Sequence, residues 1–413
     1  MRITDVNGYA LSSLIDPPQD RRFHGGVRRL LKRDVVLVVV ESSDGAHGVA
    51  TAGASSSAMR EYFAGDSQGT FADIVDGTVA DALEGESVDT VADAHAHLRE
   101  TNLPDRLLHE AISAVDVALY DLRGKEVGAP IYELLTTEYG TEPTREMSLY
   151  ASAGMYMEPE GYAEQAATLC DLGFFGYKYR PGIGPESDRR TIELVTEAAG
   201  EMAVMLDVHT WWKIRDGYDR ETVQELVKFA HDRDCFWVEE PVSPDDHAGY
   251  VELAETGAPL AGGESEPTPD RLVDLGETDA VNFLQGDVRH HCGYTGCRPA
   301  VEFCNNRETE FVPHNFGTWV GLLANAHLVA AAPDVSLLEY PVFEDDPVLD
   351  ADTDPGMYPF NLAFDIIEGE PAVEDGALTV SDDPGLGVDV DFDVLDDYPF
   401  RDGPWTEFHY DDG

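Results

Sequence analysis

Apolar and polar positions divide this chain into three regimes. Over residues 1–53 the pattern is that of strands: RITDVNGYAL and the β-branched run DVVLVVVESSDG are separated by a polar stretch rich in Arg, Asp and Pro, which reads as a loop. That stretch contains Phe23-His24-Gly25-Gly26, either a loop that folds over a ligand, with His24 as its substrate contact, or an ordinary hairpin connection. Residues 55–128 turn helical. Leu108, Ile112, Val115, Leu119 and Leu122 form the stripe of a buried amphipathic helix that closes at Gly124. From Ser148 onward strand and helix alternate. SLYASA, FGYKYRP, AVMLDVH, CFWVEEP, PLAGGES, AVNFLQGDV, TEFVPHN and SLLEYPV supply eight short strands, with helices expected over 159–173, 186–199 and 321–332. The last helix of the series is not defined by any pattern. After Pro341 the order dissolves into Asp, Pro and Gly, and GALTV and PGLGVDVD read as short strands returning to the first domain.

Strands followed by helices indicate an α+β unit, whereas strand–helix repeats build a parallel sheet that closes into a barrel. The expected fold is therefore α/β: a (β/α)8-type barrel over 141–345, with an α+β capping domain built from 1–140 and from the returning segment 346–413.

Composition changes the picture in one respect. Apolar residues make up 43% of the chain, enough for a packed core, yet 81 Asp and Glu face 27 Lys and Arg, a net charge of −54. Such self-repulsion is screened only in concentrated salt, where the Debye length falls to about 3 Å at 1 M. The reading is a salt-adapted cytoplasmic protein; a cation store fits poorly with the ordered periodicity, and nucleic acid and anionic membranes are disfavoured as partners. No signal peptide opens the sequence, and no apolar run reaches the roughly 20 residues that span a bilayer. Five cysteines without a CxxC pair suit reduced thiols. His290-His291-Cys292 with Cys297 is a candidate soft-metal group, although the spacing matches no zinc pattern and Gly293 and Gly296 mark a turn.

The chemistry gathers where apolar runs stop at carboxylates: Asp207 in MLDVH, Glu239 in WVEEP and Glu264 in GGES. In a barrel these ends converge at the C-terminal face, where active sites lie. Three convergent carboxylates repel unless a cation sits among them, and hard oxygen donors without thiolates point to Mg²⁺. The alternative for each acid taken singly is a helix N-cap. Residues two apart share a strand face, so Lys178 pairs with Arg180, Asp207 with His209, and Gln285 with Asp287. Lys178 and Arg180 read as a clamp for a substrate carboxylate, or as structural counter-charge. His314, after FVP, and Asp287, after LQG, can form a dyad in which the carboxylate orients the ring; Glu339 is the hydrogen-bonding counterpart on the eighth strand.

Taken together these motifs resemble the enolase superfamily and its mandelate racemase subgroup over nearly the whole chain. DVALYDLRGKEVGAPIYELL resembles the helix that joins cap to barrel, WVEEP and GGES the metal-bearing strands, and PGLGVDVD the returning C-terminal segment. The resemblance implies Asp207, Glu239 and Glu264 as Mg²⁺ ligands and His314 with Asp287 as the catalytic dyad. It also implies a tendency to form homo-oligomers. Lys178-Tyr179-Arg180 stands where racemases carry Lys-x-Lys, and the arginine, which stays protonated, puts a second base in doubt. Asp207-Val208-His209 resembles acid-sugar dehydratases of the galactonate type. The implied reaction is dehydration of an aldonic or related sugar acid to a 2-keto-3-deoxy acid through an enediolate, with Lys178 the competitor of His209 as general acid. A racemase or epimerase of a 2-hydroxy acid, and a non-catalytic metal-stabilised binding protein, are the competing readings.

Overall fold

The computed structural model describes residues 1–53, 56–63, 69–215, 217–305 and 307–411. The helical expectation at 55 and 64–68, and the tail expectation at 412–413, lie outside them.

The capping sheet is antiparallel. β1 (Ile3–Phe23) runs back along β2 (Gly26–Ser42), and β3 (His47–Ala52) pairs with the Val36–Glu41 half of β2. The expected polar loop does not form. Gln19 to Phe23 pair with Leu30 to Gly26, so the Arg- and Asp-rich stretch is a two-stranded arm whose polarity reflects exposure of its side chains. Only His24-Gly25 remain as the turn, with Gly25 at φ 82°. At the arm's tip Phe23 is buried against Tyr156, Phe408 and Tyr410, and the His24 N–H donates to the Gly182 carbonyl at 2.8 Å. The tip is thereby tied to a barrel loop.

The joining helix runs Asp105–Val127, passing through Gly124 and ending at Gly128, which takes the left-handed conformation at φ 71°. Gly124 is a packing glycine rather than a stop: a Cβ there would lie 2.7 Å from the Gly385 backbone. Its central turns are buried on every side, more than a single stripe requires. Ser113 and Asp116 serve the neighbouring helix Gly293–Cys304, accepting from Cys292 N at 2.9 Å and Tyr294 N at 2.7 Å. Two otherwise unpaired donors at a helix start are thus satisfied from a different element.

The barrel strands are β4 (Glu146–Met155), β5 (Gly176–Arg180), β6 (Ala203–Asp207), β7 (Trp237–Glu239), β8 (Leu260–Gly262), β9 (Phe283–Leu284), β10 (Glu310–Phe311) and β11 (Leu337–Pro341). Consecutive strands pair in parallel from β4 to β10, and β11 pairs in parallel with β4. Between β10 and β11 side chains close the seam: Asn315 N donates to Glu339 Oε2 at 2.9 Å and Asn315 Nδ2 to the Glu339 carbonyl at 3.3 Å. Tyr150, Met205, Trp237, Ala261, Phe283 and Val312 fill the interior. A helix follows each strand up to β10; after β11 the described residues hold only the four-residue helices Leu362–Asp365 and Val394–Asp397, too short to leave a periodic pattern.

The C-terminal segment divides. β12 (Ala372–Glu374) and β13 (Ala377–Thr379) form a hairpin whose second strand pairs antiparallel with β4, so GALTV joins the barrel sheet rather than the cap. β14 (Thr406–Tyr410) pairs with Gly26–Leu30 of β2. PGLGVDVD forms no strand. Gly385 and Gly387 have positive φ, and Leu386 N donates to Asp121 of the joining helix at 2.9 Å, which bends the chain away from extended pairing.

The Cys292 group is not a metal site. His291 is held by backbone at both ring nitrogens, and Cys292 occupies a left-handed cap position at φ 57°.

Candidate active site

β5 alternates as the period-2 pattern requires. Tyr177 and Tyr179 pack outward, Tyr179 5.1 Å from the Tyr162 ring, while Lys178 and Arg180 turn inward to the strand ends. There they meet carboxylates. Lys178 Nζ lies 2.5 Å from Glu239 Oε1 and 2.8 Å from Glu339 Oε1; Arg180 Nε lies 2.6 Å from Asp207 Oδ2. His209 Nδ1 contacts the other Asp207 oxygen at 2.7 Å. His314 bridges two acids, with Nδ1 2.9 Å from Asp287 Oδ2 and Nε2 2.9 Å from Glu264 Oε2.

The floor holds these groups in place. Trp237 Nε1 and Gln285 Nε2 donate to Glu239 Oε2 at 3.1 and 2.7 Å, and Tyr150 donates to Glu339 at 3.3 Å. Asp287 is fixed by the Arg289 guanidinium, at 2.5 Å and 3.1 Å, and by Asn325 Nδ2 at 3.1 Å. Lys178, Asp207, Glu239, Asp287 and Glu339 are all buried. Desolvating so many charges costs more than such pairs usually return, so their concentration at one barrel end marks function.

Burial opposes each charge, and the partners set the outcome. Burial would lower the Lys178 and His314 values, yet Glu239 and Glu339 raise the first, and Glu264 with Asp287 hold the second well above the ordinary imidazole range. Burial lifts Glu239 to about 7 against the pull of Lys178. For Asp287, Arg289 and His314 outweigh burial and keep the carboxyl well below its usual range. His209 is lowered by burial despite Asp207.

The strand ends bring Lys178, Arg180, Asp207, His209, Glu239, Glu264, Asp287, His314 and Glu339 into one network. His24 stands apart from it: exposed at the arm's tip, its ring packs edge-on to Tyr218 at 5.6 Å. Sequence reasoning passed over Glu240 and Arg289. Glu240, at φ 47°, places its carboxylate with His209 and Glu264 so that one ligand atom of each lies within 4.8 Å of the others. Among the described residues this is the one group of three acidic, His or Cys side chains so converged. The doubled glutamate of WVEEP was the available signal. The donors fit a hard divalent cation: Asp207 and Glu239 are register partners on adjacent strands, Glu264 follows the next strand, and buried Glu240 and half-buried Glu264 bring like charges within 4.8 Å of each other.

Asp188 lies buried in the first turn of the helix Pro185–Ala199, which follows β5. Asp188 accepts from Gly182 N (2.9 Å), Ile183 N (3.2 Å), Trp211 Nε1 (3.1 Å) and Tyr218 OH (2.8 Å), yet burial still lifts its pKa to about 6; burial lifts Asp346 to about 6 as well. A carboxyl raised above its unfolded value of about 3.9 binds more protons folded than unfolded, so stability falls as pH rises between about 4 and 6. At fixed molar salt the parent protein should lose stability relative to Asp188→Asn as pH rises from about 4.5 to about 6.5; His291 and His327, lowered to about 4 by burial, act in the opposite sense but equally in both proteins. A difference between the two melting temperatures that stayed flat over this window would contradict the assignment.

An eight-stranded parallel barrel with buried acids and bases at its C-terminal face, tied to an α+β cap, defines a class of enzyme. The comparisons specify which. Residues 161–394 match the family described as enolase C-terminal domain-like, and residues 14–136 match the mandelate racemase / muconate lactonizing enzyme N-terminal domain. The chain belongs to the enolase superfamily, in its mandelate racemase subgroup. It is 26% identical over 305 residues to D-xylonate dehydratase of Haloferax volcanii, covering 69% of this chain and 68% of that one. The 3,6-anhydro-D-galactonate cycloisomerase of Zobellia galactanivorans superposes with a TM-score of 0.78 at 26% identity, over 96% of this chain and 99% of that one. A racemase from Streptomyces coelicolor with bound magnesium superposes at 0.76 and 21% identity, over 96% and 99%, and shows the shared fold.

Proposed function

We propose that the protein is a Mg²⁺-dependent dehydratase of an aldonic or related sugar acid, giving a 2-keto-3-deoxy acid. The observation that carries the reading is two carboxylate-held histidines after β6 and β10, the third and seventh strands of the barrel: His209 on Asp207, and His314 on Asp287. The dehydratases among the relatives support the substrate class; galactonate, gluconate, xylonate and rhamnonate are the candidates to assay. Asp207, Glu239 and Glu264 would hold the ion. When bound, it supplies electrostatic stabilisation of the negative charge that builds on the substrate carboxylate as the α-proton leaves.

The chain's own residues do the rest. Glu264 is the main partner that holds His314 charged; with Glu264 engaged by the ion, the ring, oriented through Nδ1 by Asp287, would be neutral and take the α-proton at Nε2. His209 acts as the imidazolium, its Nδ1–H held by Asp207, and gives its Nε2 proton to the departing β-hydroxyl, which leaves as water; burial, by lowering the ring's value, makes that form the stronger acid. The resulting enol then tautomerises to the 2-keto acid. Lys178 competes poorly as the acid, because Glu239 and Glu339 stabilise its charged form. Racemisation on this scaffold needs a base on the opposite face; Arg180, held by Asp207, is a poor one.

A screen of sugar acids for 2-keto-3-deoxy product, in high salt with Mg²⁺, tests the reading; inversion at the α-carbon without loss of water would replace it with an epimerase. The ligand set has its own test. Glu264→Gln and Glu239→Gln should each weaken Mg²⁺ binding and reduce turnover to background, and Glu240→Gln should leave measurable turnover. Loss of Mg²⁺ binding in Glu240→Gln but not in Glu239→Gln would make His209, Glu240 and Glu264 the ligands instead.

Among the described residues no helix is long and apolar enough to cross a membrane. The proposal includes a salt-rich cytoplasm as the working environment, a homo-oligomeric state, and small acids rather than nucleic acid as partners. The excess of acidic side chains supports the first and the last.

A further inference from the structure

Three half-buried arginines of the cap, Arg21, Arg28 and Arg33, have no carboxylate within 4 Å among the described residues, and Arg21 is instead taken up by Gln19 and the Met357 carbonyl. Arg145, Arg189, Arg220, Arg271, Arg289 and Arg298 each lie within 4 Å of a carboxylate. Arg28 and Arg33, half-buried on β2, have no such partner among the described residues. Arg28 Nε reaches Thr406 Oγ1 at 3.4 Å and Nη1 approaches Met155 Sδ at 3.8 Å. Met155 is the register partner of Arg180, so Arg28 ends beside the inner end of β5. The charged or ionisable groups facing Arg28 are Tyr156, Arg33, Tyr358 and Arg180. Arg33 donates to Tyr358 OH and lies over the Tyr358 ring at 4.8 Å and the Phe316 ring at 5.6 Å. Arg180 lies over the same Phe316 ring at 4.9 Å.

Arg33 and Arg180 therefore meet over Phe316, Arg28 lies beside them over the Phe408 ring at 5.5 Å, and Asp207 neutralises one of the three. Like charges held together under partial burial raise the free energy of the empty site unless an anion joins them. With 81 acidic residues in the chain, a counter-ion side chain was readily available at these positions and is not used. Planar, fixed guanidiniums of this kind match carboxylate or phosphate oxygens in bidentate fashion.

We propose that Arg28 and Arg33 bind an anionic group at the far end of the substrate, so that the preferred substrates are sugar acids carrying two anionic ends. One end is the carboxylate next to the reacting carbon. The other is a second carboxylate, as in an aldarate, or a phosphate, as in a phosphorylated aldonate. A neutral terminal hydroxymethyl group, as in a simple aldonate, leaves both arginines unpaired. The inference rests on the sugar-acid reading of the site and narrows it.

Binding is the direct test, because it does not require turnover. Calorimetry on His314→Asn with Mg²⁺ would compare matched pairs: galactarate against galactonate, and glucarate and 6-phosphogluconate against gluconate. The doubly anionic member should bind roughly 10–100-fold more tightly, the range expected for hydrogen bonds to charged groups. Arg28→Gln and Arg33→Gln should each remove most of that preference while changing aldonate binding by about twofold or less, and Arg28→Lys should keep part of it. Tight aldarate binding would identify the second group as a carboxylate; tight binding of 6-phosphogluconate alone would identify a phosphate. Equal affinity within every pair would overturn the inference while leaving the dehydratase reading intact. So would arginine variants that weaken mono- and dianions alike, since that is the behaviour of a structural stack. Failure of every sugar acid to bind would overturn both.

Discussion

His314→Asn is expected to stop α-proton exchange and dehydration together, and His209→Asn to stop dehydration alone. The expectation follows from the positions of the two rings. His314 is clamped by Asp287, itself fixed by Arg289 and Asn325, so the ring has one orientation and its Nε2 faces the carboxylate end of the site. His209 is attached to the first carboxylate of the series through Nδ1. A positioned general acid or base contributes about 10²–10⁴-fold, so each loss should reach at least the lower figure. The measurement is α-proton exchange into D₂O followed by NMR, beside a product assay. His209→Asn should still exchange the α-proton of a bound sugar acid while releasing no 2-keto-3-deoxy product. Should that variant dehydrate at the normal rate, the assignment of His209 as general acid would be lost, and with it the main support for dehydration over epimerisation.

Stability should rise steeply with salt. The chain carries 81 acidic against 27 basic side chains, so most carboxylates have no cation to pair with. Most of the ion pairs outside the active site are surface pairs such as Arg189–Glu225 and Lys228–Asp232, of the kind worth about 0–1 kcal/mol. They cannot offset repulsion among the remaining acids. Raising ionic strength from 0.1 M to 1 M shortens the Debye length from about 10 Å to about 3 Å and removes most of that repulsion. A gain of about 5 kcal/mol in a protein of this size should move the melting temperature by roughly 5 °C. Melts that were flat between dilute and molar salt would remove the case for salt adaptation.

Much of the frame was legible because its signals are local. An apolar run ending at Asp207 or Glu239 marks a strand end within a few residues, and the repeated run-then-helix spacing identifies a parallel barrel without knowledge of any contact. The pairing of His314 with Asp287 was legible for the same reason: each lies three positions beyond a strand, and the barrel brings strand ends to one face. The arm at 16–29 was misread because extended chain exposed on both faces has the composition of a loop; its hydrogen-bonded register, Gln19 against Leu30, leaves no mark in hydropathy. Gly124 was misread because a glycine needed for close approach and one needed for positive φ look alike in sequence.

The sequence by itself determined the alternation of strands and helices, the acids and bases at the strand ends, and the charge that calls for salt. These depend on side-chain period and composition, which are properties of short stretches. Only the tertiary structure decided which partners those groups have. It decided that Lys178 lies between Glu239 and Glu339, that Asn315 rather than a ladder closes β10 to β11, and that Glu240 converges with His209 and Glu264. It decided also that Arg28 and Arg33, more than a hundred residues before the strand that carries Arg180, arrive beside it without a carboxylate of their own. Such meetings depend on the path of the whole chain in space, and no period along the sequence encodes them.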